Sequence, residues 1–347
     1  AQCLVGSEMC IRDSIEEKLL TAYLSRRGYT DKEIRSSIVK LKQSANSLGG
    51  GLYNANKEVY TFLRYGVNIQ AEVTEKKKMV HLIDWANPME NDFQIAEEVT
   101  IQGASDRRPD LVVYVNGIAL AVIELKRSTV SAHEGIRQNI RNQQDGYIPR
   151  FFTTIQLLFA GNDTEGLHYG VIKTPEKFWL RWKEPCGEPC QPSHFTAKEY
   201  PNELDRSVLQ FFEPVRLLEY IHDFIIFDGG IKKTARPNQY FAVKAAQPRV
   251  RKKQNGIIWH SQGSGKSLTM VWLAQWIREN VSDARVVIIT DRDELDKQIE
   301  SGFKDVGEQI QRAKSGGKLI EMLNAAEPWL ICTLIHKFGN KNDSDAI

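Results

Sequence analysis

The stretch GIIWHSQGSGKSLTMVWLAQWI, residues 256–277, leaves few folds open. A short apolar run reads as a strand, a Gly-Ser turn follows, and a Lys-Ser pair opens a segment whose Leu268, Trp272, Leu273 and Trp276 recur at helical spacing. The apolar part of ARVVIITDRDELDKQI then supplies the next parallel strand, so this region is read as α/β, with helices packed on a sheet. At the helix start, the backbone N–H groups of Gly263, Ser264, Gly265, Lys266 and Ser267 would converge and cradle an anion. Lys266 adds a charge for the outer phosphates, and the Ser267 hydroxyl can ligate magnesium. Nucleotide binding is the expectation, although His260 stands where the usual G-x-x-x-x-G-K-[ST] pattern has its first glycine.

A second stretch, RPDLVVYVNGIALAVIELKRS at residues 108–128, sets two charges inside an apolar run. Strand alternation turns Leu120, Val122, Glu124 and Lys126 to one face and Ala121, Ile123 and Leu125 to the other. Burying Glu124 and Lys126 is costly without partners, and Asp110 with a bound cation would offset that cost. Two carboxylates and a backbone carbonyl are the oxygen ligands a hard cation such as Mg2+ prefers, while an ammonium group beside them can orient or help deprotonate an attacking water. Asp110 and Glu124 are therefore candidate metal ligands and Lys126 the candidate water-handling group; on a plain surface hairpin the last two would simply face solvent. Geometry adds a condition. A two-residue Asn116-Gly117 turn pairs Val115 with Ile118 and hence Asp110 with Ile123, on the wrong face. The site requires a three-residue loop, a bulge, or an Asp110 lying ahead of regular pairing.

Around these stretches the pattern is α/β. SIEEKLLTAYLSRRGYT carries one apolar helical stripe, with Ser14 as its expected cap and Glu17 three residues later. Strand-like VTEKKKMVHLIDW and FQIAEEVTIQ precede the charged hairpin, and a helix over 132–147 and strand-like TTIQLLFAGN follow it. On that helix Ile136, Ile140, Gln143 and Tyr147 share a face, which puts two polar groups on a core-facing stripe. A helix-end role for Gln143, bonding nearby backbone, fits the same spacing. KEPCGEPCQPSHF is loop-rich, and a helical region over 202–227 comes next. Cys186, Cys190 and His194 are spaced by four, but the prolines among them preclude a regular helix and no fourth zinc ligand stands out. The basic run RVRKK, residues 249–253, could touch DNA phosphates or be a solvated linker, and the linker is the preferred reading.

With 347 residues the chain is long enough for two domains. Its net charge of +2 excludes nucleic-acid binding driven by the field of the whole chain and leaves that work to local clusters. Five cysteines, an odd number, argue against a disulfide framework. No apolar run nears the ~20 residues that cross a bilayer, and no signal peptide opens the chain, so a soluble, cytoplasmic protein without a membrane partner is expected. The first fourteen residues, AQCLVGSEMCIRDS, resemble a leader and are given no function. The expected division is a leader at 1–14, a first domain at 15–185, a connector at 186–235 and a second domain at 236–347.

Several of these segments resemble known motifs. Pro109-Asp110 and Glu124-Leu125-Lys126, separated by a hairpin, resemble the PD-(D/E)xK nuclease motif. Gln143 and Tyr147 resemble the Gln-x-x-x-Tyr extension of related nuclease domains, with Gln138 as the other possible Gln. RPNQYFAV resembles the glutamine motif with which helicases read adenine, through Gln239. Asp291 and Asp293 invite a reading as magnesium-binding acids. The pair Asp293-Glu294 stands too far past the strand, however, and TDRDEL is instead similar to the helicase segment that touches the DNA backbone; ICTLIHKF resembles the next such segment. In this order the motifs resemble the motor and nuclease subunit of type I restriction endonucleases. The resemblance implies a PD-(D/E)xK nuclease-like domain followed by a RecA-like P-loop helicase domain. It also implies an ATP-driven translocase that cuts double-stranded DNA with Mg2+, assembled with methyltransferase and specificity subunits. Asp110, Glu124, Lys126, Gln143 and Tyr147 would then be catalytic, Gln239 and the Gly263–Ser267 loop would hold ATP, and Ser267 would hold its metal. No apolar strand followed directly by Asp-Glu precedes Ile347, so an incomplete motor that binds ATP without turning it over is expected. A helicase-nuclease of DNA repair or of another defence system, and a non-catalytic nucleic-acid-binding module, are the alternatives.

Overall fold

The computed structural model describes residues 2–4, 13–69, 78–185, 202–305 and 307–338. They form two compact units, residues 1–222 with 232–234 and residues 223–231 with 235–347. Cys186, Cys190 and His194, the zinc candidates, lie outside the described residues. Among the described residues no helix is long and apolar enough to cross a membrane.

The first unit begins with the short strand β1 (Gln2–Leu4) and helices α1 (Glu17–Arg26), α2 (Asp31–Asn46) and α3 (Gly51–Tyr65). Strands β2 (Val67–Ile69), β3 (Lys78–Val80), β4 (Phe93–Glu97), β5 (Leu111–Val115) and β6 (Ile118–Leu125) follow, then α4 (Ala132–Asn142). Strands β7 (Leu157–Asn162), β8 (Gly166–Gly170) and β9 (Leu180–Arg181) and helices α5 (Glu203–Phe211) and α6 (Pro214–Asp223) complete the order. Seven strands make one sheet, β1-β4-β5-β6-β7-β8-β9. Strands β6 and β7 are parallel, which requires a crossover, and α4 is that crossover. Val112, Val122, Leu158 and Ala160 pack with Ile136 of α4 and with Phe151 and Phe152. The opposite face carries aromatic packing, with Phe159, Tyr169, Trp182, Phe211 and Tyr220 at ring separations of 4.7 to 6.4 Å. Both faces of β6 and β7 are thus covered, which is why these strands are apolar throughout rather than alternating.

The structure revises four local expectations here. Ser14 does not cap α1; Glu16 takes that place, while the Ser14 carbonyl accepts the Ala119 N–H at 2.9 Å and Ile15 bridges Ile118. The sheet's demand for a backbone partner outweighs the cap. Helix α4 stops at Asn142, ahead of the Asp145-Gly146 turn, so Tyr147 is not on it. The helical region over 202–227 splits into α5 and α6 at Pro214, which cannot donate an N–H to a continuing helix, and ends in strand β10 (Ile225–Asp228). Up to His222 these helices pack with the first unit and are not a separate connector.

Strand β11 (Ile231–Thr234) and helix α7 (Pro237–Arg251) come next. The second unit continues with α8 (Lys266–Asn280), β12 (Val286–Thr290), α9 (Asp293–Asp305), β13 (Ile310–Arg312), α10 (Gly316–Asn324) and β14 (Leu330–Leu334). Its sheet is parallel, in the order β12-β14-β13. Alternation along β14 sends Leu330 and Cys332 toward Val271, Ala274, Ile299 and Phe303 of α8 and α9. Ile331 points the other way, to Leu319 and Met322 of α10. Residues 257–260, expected as a strand, form none, and Ile257 and Trp259 are 90% and 91% exposed. A strand exists only where a neighbour accepts its ladder, and no strand of this sheet pairs with them. The RVRKK run is not a linker at its start: Arg249 and Arg251 belong to α7, and Arg251 lies over the Trp276 ring.

Candidate functional site

The β5–β6 hairpin turns at Asn116 and Gly117, with φ of 54° and 79°, the left-handed pair that a two-residue turn requires. Val115 pairs with Ile118 and Tyr114 with Ala119, but Val113 pairs with Ala121. Leu120 is the extra residue of a bulge. Beyond it Leu111 faces Ile123, which sets Asp110 across from Glu124 rather than Ile123.

The consequence is a tight group. Asp110 Oδ2 accepts the Leu125 N–H at 2.7 Å, fixing the carboxylate to the end of β6. Lys126 Nζ lies 3.8 Å from Asp110 Oδ2 and 3.9 Å from Glu124 Oε2. The Lys126 ammonium also donates to the Leu125 carbonyl at 3.1 Å, and its backbone N–H donates to Gly161 on β7 at 2.9 Å. Glu124 is fully buried, and neither of its carboxylate oxygens has a hydrogen-bond partner among the described residues. Burial first, and the Asp110 charge second, push its pKa up to about 8, against the opposing pull of Lys126. Two carboxylates and the Leu125 carbonyl thus lie within 4 Å of Lys126 Nζ, and this set of oxygen donors, one of them a buried carboxylate without a hydrogen-bond donor among the described residues, fits a hard divalent cation.

Helix α4 closes this site through Gly135. A Cβ there would meet Glu124 O and Ala160 Cβ at 3.1 Å, tighter than ordinary contact, so a side chain at this position would force its neighbours to give way. Gln138 follows Gly135 by about one turn, and the charge of Arg141, further along α4, lowers the pKa of Glu124. Gln143 sits at the C-cap instead. Its Nε2 donates to Asn139 O at 2.9 Å and its Oε1 accepts the Lys173 N–H at 2.7 Å, so both ends of the amide are engaged away from the carboxylates. Tyr147 lies under the Arg107 guanidinium at 4.2 Å. The structure brings Asp110, Glu124 and Lys126 together and gives Gln143 and Tyr147 other contacts. Gly135 and Arg141 escaped the sequence reading; their spacing of three residues on either side of Gln138 was the available signal.

The second group lies at the start of α8. Gly263 and Gly265 adopt φ of 75° and 82°, and the helix begins at Lys266. Lys266 Nζ donates to the carbonyls of His260 and Ser261 at 3.0 and 2.9 Å, closing the loop on itself, and Ser264 Oγ donates to Ser261 O at 2.7 Å. The first N–H groups of α8 have no intrahelical acceptor, as at every helix start. Gln239 is buried beneath the loop: its Nε2 donates to Gly265 O at 2.9 Å and Ser264 O at 3.2 Å, while its Oε1 accepts the Arg236 N–H at 2.8 Å. Its amide supports the loop backbone here. Asp293 pairs with Lys297 and Arg312, and Asp291 is an exposed residue beside Arg292.

Comparison with known proteins adds to this geometry. Residues 6–177 match the family described as Type I restriction enzyme R protein N terminus, and residues 238–347 match the SWI2/SNF2 ATPase family. A putative type I restriction enzyme MjaIXP endonuclease subunit of Methanocaldococcus jannaschii is 27% identical across 94% of this chain and 36% of its own length. The type I restriction enzyme SsaAORF53P endonuclease subunit of Staphylococcus saprophyticus is 26% identical across 79% of this chain and 29% of its own. A second Methanocaldococcus jannaschii protein, the putative MjaVIIIP endonuclease subunit, is 27% identical across 98% and 35%. The chain spans about a third of the length of these relatives.

Proposed function

Since the chain belongs to the type I restriction enzyme R protein family, we propose that its first unit is a PD-(D/E)xK nuclease that hydrolyses DNA phosphodiesters, and its second a RecA-like motor unit that binds ATP. The observation that carries this reading is the bulge at Leu120, which gathers Asp110 and Lys126 beside the buried Glu124 carboxylate, which has no hydrogen-bond donor among the described residues. Asp110 Oδ, Glu124 Oε and the Leu125 carbonyl would hold Mg2+, which when bound supplies Lewis-acid polarisation of the scissile phosphate and a more acidic water. Glu124, protonated near neutrality in the cation-free chain, releases its proton to become a ligand. Lys126 Nζ, within 4 Å of both carboxylates, would orient the attacking water or help deprotonate it. Gln138, about one turn along α4 from Gly135, would contact this site more readily than Gln143, whose amide is engaged elsewhere, and Arg141 would meet a DNA phosphate.

In the second unit the Gly263–Ser267 loop would take the phosphates of ATP, with Lys266 leaving its two carbonyls for the outer phosphates and Ser267 holding their magnesium. Double-stranded DNA as substrate, methyltransferase and specificity subunits as partners, and a cytoplasmic setting complete the proposal, as the resemblance of the motifs implies. Calorimetric titration with Mn2+ and a plasmid-nicking assay test it together. Wild-type chain should bind the cation and nick DNA, and Asp110→Asn should do neither; nicking that survives this change would refute the assignment.

A further inference from the structure

The site's register hangs on one residue. Were Leu120 to rejoin the ladder, Asp110 would face Ile123 and Glu124 would lose its acidic neighbour. What holds the bulge lies on the other side of β6. The Leu120 carbonyl accepts the Gln156 N–H at 2.7 Å, from the segment just ahead of β7. The Gln156 side chain is fully buried; its Nε2 donates to Thr154 O at 2.7 Å, and its Oε1 accepts from Lys232 Nζ at 2.6 Å. Lys232, itself 3% exposed, also donates to Asn56 Oδ1 at 2.7 Å. Asn56 Nδ2 in turn reaches the carbonyls of Phe152, Thr153 and Ile155 at 3.1, 2.9 and 2.8 Å. Residues 152–156 are therefore suspended between α3 and one lysine that arrives from far along the chain.

We propose that Lys232 is a positioning residue for the Asp110, Glu124 and Lys126 site, holding through Gln156 the bulge at Leu120 that brings the carboxylates together. The proposal rests on the nuclease reading of that site. A buried ammonium group is expensive, and burial lowers the Lys232 pKa well below the usual lysine value. An apolar residue would fill the same space at less cost if packing were all that mattered. What the ammonium supplies is a donor to two buried amide oxygens. Without it both acceptors lose that partner, and the segment relaxes to recover one. Gln156 N–H, the bulge's tie to β7, belongs to that segment. Residues 232–234 pack with the first unit although the chain on either side of them belongs to the second.

The test uses the full chain carrying Lys232→Met, which keeps the length of the side chain and removes the ammonium. Ile34→Ala, a buried change on α2, serves as a control for general destabilisation. Lys232→Met should speed amide exchange in residues 118–126 and weaken Mn2+ binding by about tenfold or more, the scale seen when the outer support of a metal site is lost. Ile34→Ala should lower the melting temperature and leave both readouts unchanged. If Lys232→Met does not fold, Gln156→Met, which keeps the backbone N–H and removes the acceptor, carries the same expectation. Wild-type exchange and wild-type Mn2+ affinity in whichever of these variants folds would overturn the proposal. Should the wild-type chain neither bind Mn2+ nor nick DNA, the nuclease reading fails, while exchange at residues 118–126 still decides the link from Lys232 to the bulge.

Discussion

Glu124 must ionise before it can hold a cation, and in the cation-free chain its pKa is pushed up to about 8 by burial and by Asp110. Folding thus favours the protonated carboxyl, so the stability it contributes is complete below the ordinary carboxylate pKa of 4.5 and is lost as pH rises through about 8. Urea unfolding of the metal-free chain should show stability falling across that window, and Glu124→Gln should flatten the slope. Mn2+ binding at neutral pH should release a proton, visible as a dependence of the calorimetric heat on the ionisation heat of the buffer. Lys126 plays a different part. Lys126→Ala removes a charge that repels the cation, so affinity should hold or improve while nicking falls by roughly 10²-fold or more. Equal loss of binding and nicking would make Lys126 a structural partner of the carboxylates.

At the scale of elements, close approach decides both sites. Gly135 lets α4 rest on Glu124, and Gly135→Val should cost about 1–3 kcal/mol by overpacking and weaken Mn2+ binding as the helix lifts. Denaturant midpoints and cation titrations read the two effects separately. Gly265 has φ of 82°, and a Cβ there would sit 2.3 Å from Gln239 Nε2. Gly265→Ala should weaken binding of an ATP analogue by at least about tenfold, roughly 1.4 kcal/mol, through displacement of the loop. Unchanged affinity would show that the buried Gln239 amide does not shape the cradle. The spacing of apolar residues gave the hairpin, the helix α4 and the strand β12 of the second unit. It could not give where α4 stops, because the Asp145-Gly146 turn outweighs a stripe that continues to Tyr147. Nor could it show that residues 257–260 make no strand, since apolar sequence is satisfied as a strand only by a hydrogen-bonded neighbour.

For the whole molecule, the groups of each candidate site come from one compact unit. Binding at the two should therefore be separable. Lys266→Ala should abolish binding of an ATP analogue, because the backbone cradle alone leaves the outer phosphates without a counter-charge, and should leave Mn2+ binding at Glu124 intact. Asp110→Asn should do the reverse. Titrating both ligands into both variants checks this, and loss of both affinities in either one would show that the sites share more than a covalent connection.

What is local is legible in the order of residues: the Asn116-Gly117 turn, the placing of Glu124 and Lys126 two residues apart on a strand, and the glycines that let a loop run into α8. That order even stated the condition that Asp110 could meet Glu124 only through an irregular register. Tertiary structure alone decided how that condition is met, by a bulge at Leu120 tied to Gln156. It also decided that Glu124 is sealed by a glycine on α4, that Gln239 lies beneath the loop, and that Lys232 is buried against Asn56 and Gln156. The division has one physical cause. Turn conformation and side-chain alternation are set within a few bonds, whereas burial and register depend on which groups arrive from elsewhere in the chain to fill space and satisfy buried polar atoms.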